Sequence, residues 1–284
     1  MFYNRLLWYQ YGKFSPRFAW RWMTAAKRSL PDFLIIGAQK CGTTSLYAYL
    51  EQHPEIAGAS KKEVKYFDMF SHQGLDWYKA HFPTMAEKSQ RLTGEATPDY
   101  IFFPEIATKV HQCMPNVKML VLLREPADRS YSQYRYAQRR GHETLGFAEA
   151  IEAEPRRLRE ARDYCQRSGQ SLSTHRYYRE QSYVARSQYI DQLQPWFDQF
   201  DRSQFLFLTS ESLQSQPQET LRLATDYLGL HPYEFHTGEK YNAAGSKPSS
   251  EALEQIQSLR ERFRESVEDL TKVTGLSFDP NVAD

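Results

Sequence analysis

The sequence predicts a single α/β domain in which a central parallel sheet is flanked by helices. Residues 33–36 (FLII), 117–123 (VKMLVLL) and 205–213 (FLFLTSESL) are apolar runs without the polar alternation of a half-exposed strand, as expected where both faces of a strand are covered. Helical patterns follow each of them, at 43–53, at 129–141 (RSYSQYRYAQRRG) and at 217–228. Gly37 and Gly42 bracket the turn between the first run and its helix, where a chain free of Cβ atoms lets main-chain N–H groups converge on an anion.

The first helix opens with Thr43, Thr44 and Ser45, so its unpaired N–H groups and its dipole favour a bound phosphate. The two glycines have the spacing of the nucleotide triphosphate loop, but Thr43 follows the second, and the lysine is Lys40, inside the turn. A lysine in that place sits nearer a first phosphate than an outer one, which suits a nucleotide with a single 5′-phosphate carrying the leaving bond and requires no metal. The helix is expected to end at His53, because Pro54 pushes the preceding residue out of helical geometry. Residues 91–95 read as a short strand, 187–200 as a helix with Tyr189, Leu193 and Trp196 on its buried face, 217–228 as a helix closed by Gly229, and 249–273 as the last helix.

Composition narrows the function. A formal net charge of +1 gives no global field for nucleic acid, so an anion site must be local. Cys41, Cys113 and Cys165 are widely spaced, which argues against a disulfide framework and structural zinc and fits a reducing compartment. No apolar run approaches a membrane span and no secretory signal is visible, so a bacterial cytoplasmic setting is expected. Residues 1–30 form a separate arm whose charged side chains are all basic and are interleaved with aromatics. It is read as an arm packed on the domain 31–284, with contact to an anionic membrane as the less favoured reading because Pro16 breaks a long amphipathic helix.

The segment GAQKCGTTSLYAYLEQHPEI, residues 37–56, resembles the 5′-phosphosulfate loop of sulfotransferases that use 3′-phosphoadenosine-5′-phosphosulfate (PAPS), in particular the Golgi heparan sulfate N- and 3-O-sulfotransferases and bacterial relatives. The resemblance covers most of the chain. It implies the P-loop-like sulfotransferase fold, with Gln39, Lys40, Cys41, Gly42, Thr43, Thr44 and Ser45 around the 5′-phosphate. Cys41 is read as a small filler whose backbone matters more than its thiol. Residues 61–68, KKEVKYFD, resemble the family's E-V-H-F-F-D, which aligns Glu63 with its catalytic base and Asp68 with its closing aspartate. On an extended segment Glu63 and Lys65 would share one face.

Two positions depart from that pattern. Lys65 stands where the 3-O enzymes have histidine, a fixed cation that either holds Glu63 ionised or helps bind the sulfuryl group. In EATPDY, residues 95–100, Ala96 replaces the lysine of the family's E-K-T-P-x-Y, and Lys65 is a candidate to compensate. Arg124 and Ser132, in an L-R-[DEN]-P context, match the arginine and serine that grip the 3′-phosphate of PAPS. Gly245, Ser246 and Lys247 match loosely a loop over that same end of the nucleotide. Residues 139–186 mix acids and arginines at helical spacing and read as solvated helices, with a mobile loop at 165–173 near the acceptor.

The function expected is sulfuryl transfer from PAPS, leaving 3′,5′-phosphoadenosine (PAP), to a hydroxyl or amine of a glycan, lipid or small molecule. The alternatives are a P-loop-type nucleotide kinase, which would need magnesium and ATP, and a non-catalytic nucleotide-binding protein.

Overall fold

A computed structural model describes residues 15–238 and 248–278. Its centre is a four-stranded, all-parallel sheet in the order β2-β1-β3-β4, made of β1 (Phe33–Gly37), β2 (Gly94–Ala96), β3 (Lys118–Leu123) and β4 (Phe205–Thr209). The uninterrupted apolar runs produce this burial: every residue of β1, and Met119 to Leu123 of β3, is sealed from solvent. β2 is one turn of chain later than residues 91–95 suggest, since Arg91 is exposed and only Gly94–Ala96 pair with β1.

The principal helices are α1 (Pro16–Met23), α2 (Thr43–Leu50), α3 (Glu105–Cys113), α4 (Pro126–Arg139), α5 (Phe147–Ser168), α6 (Arg176–Glu180), α7 (Tyr189–Phe197), α8 (Ser210–Ser215), α9 (Pro217–Leu228) and α10 (Ser250–Thr274), with short helices also at Leu75–Lys79 and Met85–Lys88. Local chemistry sets several of their ends. Glu125 caps α4 by accepting from the N–H groups of Ala127 and Asp128, with Pro126 in the first turn, and Gly229 closes α9 at φ +81°. α2 stops at Leu50, three residues short of His53, and the chain turns through 51–53 before Pro54.

Tyr189, Leu193 and Trp196 of α7 lie in the main core as their spacing predicts. A second core joins α4, α5 and α10 around Tyr134, Phe147, Ile256 and Phe263, and Arg260 of α10 donates to both oxygens of Asp128 at 3.1 Å. α1 lies on the domain: Phe18 meets the Trp77 ring, and Arg21 donates to the carbonyls of Ala80 and Phe82 at 2.6 and 2.8 Å. The stretch 165–173 is not an open loop. α5 continues to Ser168, and Ser173 is buried with its hydroxyl donating to the Asp68 carbonyl.

β2 lies on one side of β1 and β3 on the other, so the strand order reverses between β1 and β3. In such a sheet ligands bind at the carboxyl ends of the strands beside that reversal.

Candidate active site

The turn after β1 is shaped by its glycines. A Cβ on Gly37 would lie 2.4 Å from Ile101 Cγ2, and Gly42 holds φ +89° at the head of α2. Ala38 N–H donates to the Leu122 carbonyl at 2.7 Å, tying the turn to the end of β3. Cys41 is fully buried, and burial pushes its thiol up to about 11, which keeps it protonated and places it as packing. Beneath the turn lies Arg129, fully buried, whose Nε donates to Ser187 Oγ at 2.6 Å and whose Nη1 reaches the Gln39 carbonyl at 3.5 Å.

Lys40 gathers cations around it. Its ammonium sits 4.5 Å from the centre of the Tyr136 ring, and burial followed by the charges of Arg139, Arg124 and Arg129 lowers it to about 8. Such a concentration of one sign at a helix N-terminus is the chemistry of a polyanion site. Gln39 Oε1 is buried there without a hydrogen-bond partner among the described residues.

Arg124 follows β3 directly, with its carbonyl accepting from the Tyr189 hydroxyl at 3.0 Å. Ser132, Tyr136 and Arg139 stand at i, i+4 and i+7 of α4, hence on one face of that helix. That face joins Ser132 to two of the residues that act on Lys40, Tyr136 and Arg139. The spacing was visible in the sequence, yet sequence reasoning singled out Ser132 alone. Gly245, Ser246 and Lys247 lie outside the described residues.

The segment carrying Glu63 is not extended. Glu63 and Lys65 both have left-handed backbones, φ +57° and +58°, and residues Tyr66–Phe70 form a π-helical turn. EATPDY imposes this shape residue by residue. Glu63 N–H donates to the Ala96 carbonyl (3.2 Å), Val64 N–H to Glu95 Oε2 (3.2 Å), Lys65 N–H to Thr97 Oγ1 (3.3 Å) and Tyr66 N–H to the Tyr100 hydroxyl (3.0 Å). Glu95 itself is fully buried and accepts from Tyr78, Tyr100 and Thr97; burial pushes it up to about 7 against those hydrogen bonds. Ala96 is fully buried in β2.

In this conformation the two charges meet. Lys65 Nζ is 3.0 Å from Glu63 Oε2, and Lys62 Nζ is 3.0 Å from Oε1. Burial acts to raise the Glu63 carboxyl, but Lys65 and then Lys62 outweigh it and hold the group below the ordinary carboxylate range. With its side chain 34% exposed, Glu63 is an ionised carboxylate open to a ligand.

Behind Lys65 is a buried ionic network that the mixed charges of 139–186 concealed. Arg179 and Arg186 are not solvated. Arg179 donates to Asp68 Oδ2 at 3.0 Å and to Asp99 Oδ2, and Arg186 donates to Asp99 Oδ1 at 2.8 Å. Asp68 is thus sealed behind the Glu63 segment. Burial raises its carboxyl, whereas Asp99, buried beside Arg179, Arg186 and Lys65, is driven well below the usual range by their charges. Removing one partner of a buried pair leaves a charge uncompensated, so Arg179→Met is expected to lose about 3–5 kcal/mol of stability. The midpoint and slope of urea unfolding measure this.

The turn after β1, the Glu63 segment on β2 and Arg124 after β3 therefore share one edge of the sheet. Residues 30–242 match the sulfotransferase domain family. This chain belongs to that family. The crystal structure of a sulfotransferase from Alicyclobacillus acidocaldarius superposes with a TM-score of 0.70 at 26% identity, covering 88% of this chain and 98% of that one. Human bifunctional heparan sulfate N-deacetylase/N-sulfotransferase 3 is 29% identical over 72% of this chain and 23% of its own length. Mouse heparan sulfate glucosamine 3-O-sulfotransferase 3B1 is 29% identical over 72% of this chain and 48% of its own. Membrane-associated sulfotransferase kil1 of Dictyostelium discoideum is 45% identical over 38% of this chain and 23% of its own. The chain thus spans less than half the length of each of these three relatives. Among the described residues, no helix of this sulfotransferase-family chain is long and apolar enough to cross a membrane.

Proposed function

We propose that the protein transfers a sulfuryl group from PAPS to a hydroxyl or amine of a glycan, the acceptor class that its relatives' names indicate. The observation that carries this reading is an ionised, accessible Glu63 on the same sheet edge as a cationic phosphate turn. The residues suit a nucleotide of this kind: Lys40, Arg124 and the head of α2 offer charge and N–H groups to a polyanion. Lys40 sits within the turn rather than on the helix.

Bound PAPS would supply a sulfuryl group whose bond to the 5′-phosphate oxygen breaks as its sulfur joins the acceptor. Gln39 to Ser45 hold the 5′-phosphate, and Lys40 neutralises the charge left on its oxygen. Arg124 and Ser132 hold the 3′-phosphate, joined by Gly245, Ser246 and Lys247. Glu63 takes the acceptor proton, and Lys65 presents a fixed cation at the acceptor end. Asp68 and Cys41 serve from behind, the first through Arg179 and the second as packing.

The test is transfer of label from [³⁵S]PAPS to heparan sulfate and to its N-deacetylated form, with EDTA present. Labelled polysaccharide is expected. Label that stays in PAPS, or transfer of phosphate from ATP instead, would contradict the reading.

A further inference from the structure

Lys65 is gripped from two unequal sides. On the outer side is Glu63, 3.0 Å away with its side chain 34% exposed; on the inner side is Asp99, 3.5 Å away and 1% exposed. Asp99 is immobilised in turn. Its Oδ1 accepts from Arg186 and its Oδ2 from Arg179, while the other end of the Arg179 fork is committed to Asp68 and to the Ser173 carbonyl at 2.7 Å. The Arg186 guanidinium carbon also lies 4.1 Å from the centre of the Phe102 ring, a second contact that holds it. A lysine has a long flexible stem, and an exposed Lys–Glu pair is weak and mobile. The buried anchor changes that.

Resting on the sulfuryl transfer proposed above, we propose that Asp99 is a positioning residue: it pins the Lys65 ammonium beside Glu63, and Arg179 and Arg186 pin Asp99. The consequence for the reaction is electrostatic. Before transfer Lys65 is shared between two carboxylates. When Glu63 takes the acceptor proton its charge disappears, while Asp99 keeps the ammonium in place, so one positive charge faces the sulfuryl oxygens at the moment it is needed. Without Asp99 the ammonium would follow Glu63 or swing to water.

A double-mutant cycle on the full chain tests this with Lys65→Met, Asp99→Asn and the pair. With PAPS and heparan sulfate, each single change is expected to lower kcat by about 10–100-fold, the range for a misplaced catalytic group, and to leave PAP binding intact. In the Lys65→Met background Asp99→Asn is expected to add almost nothing. Independently of any acceptor, acetylation of Lys65 by acetic anhydride, followed by peptide mass spectrometry, is expected to begin at lower pH in Asp99→Asn than in the parent. Should Asp99→Asn not fold, Asp99→Glu, which keeps the charge for both arginines but displaces it, enters the same cycle with the same expected non-additivity. Additive losses, or Lys65 acetylation unaltered by the change at Asp99, would overturn the role of Asp99 alone. A wild-type protein that neither binds PAP nor transfers label would instead remove the sulfotransferase reading on which it rests.

Discussion

Glu63→Gln is expected to lower kcat by about 10²- to 10⁴-fold, the usual contribution of a positioned base, while PAP still binds. Glutamine keeps the size of the side chain and the left-handed backbone that residues 95–100 template, so the change removes the proton acceptor and little else. Lys62 and Lys65 lose a partner in the variant, but both remain at the surface or against Asp99. In the parent enzyme the sign of the pH dependence follows from the lowered Glu63 carboxyl. Activity needs the ionised form, so the acid limb of kcat/KM, where Glu63 becomes protonated, lies below the ordinary carboxylate range. A steady-state pH profile checks this, and its acid limb is expected to vanish from the residual activity of Glu63→Gln. Wild-type rates in that variant would assign the base elsewhere.

Lys40→Met is expected to cost about 10²–10³ in kcat, the range for removing one preorganised group that stabilises charge in a transition state. It also has a signature in the bound state. In the free protein, burial and the surrounding arginines lower Lys40 to about 8. A bound phosphate favours its charged form and therefore raises that value. Binding of PAP near pH 8 should draw a proton from buffer, and affinity should weaken as the pH rises through and above 8. Calorimetry in two buffers of different ionisation enthalpy measures the proton uptake, which Lys40→Met should abolish. The methionine stem retains contact with Tyr136, so lost packing is a small part of the effect.

What the sequence disclosed and what it hid divide by the range of the cause. The strands were legible because Phe33, Leu34 and Ile35, or Met119 to Leu123, need no distant partner to look buried. The tight turn between β1 and α2 was legible because Gly37 and Gly42 carry the backbone requirement in themselves. The Glu63 segment was located but misread in shape. Its left-handed residues are set by hydrogen bonds that its N–H groups donate to Ala96, Glu95 and Thr97, some thirty residues on, and alternation of charge gives no sign of that. Arg179 and Arg186 were invisible for the same reason. In a stretch of mixed charge nothing local distinguishes an arginine that will meet a buried Asp99 from one that will meet water. Tyr136 and Arg139 were an avoidable omission, since helical spacing from Ser132 points to both.

The central claim, a site built for PAP and its sulfated form, is most directly tested by calorimetric titration of the purified chain with PAP, ADP, and ATP with magnesium in parallel. Tight binding of PAP without metal, weaker binding of ADP, and loss of PAP binding in Arg124→Ala are the results this account predicts. Preference for ATP with magnesium would contradict it and make the turn around Lys40 a triphosphate cradle.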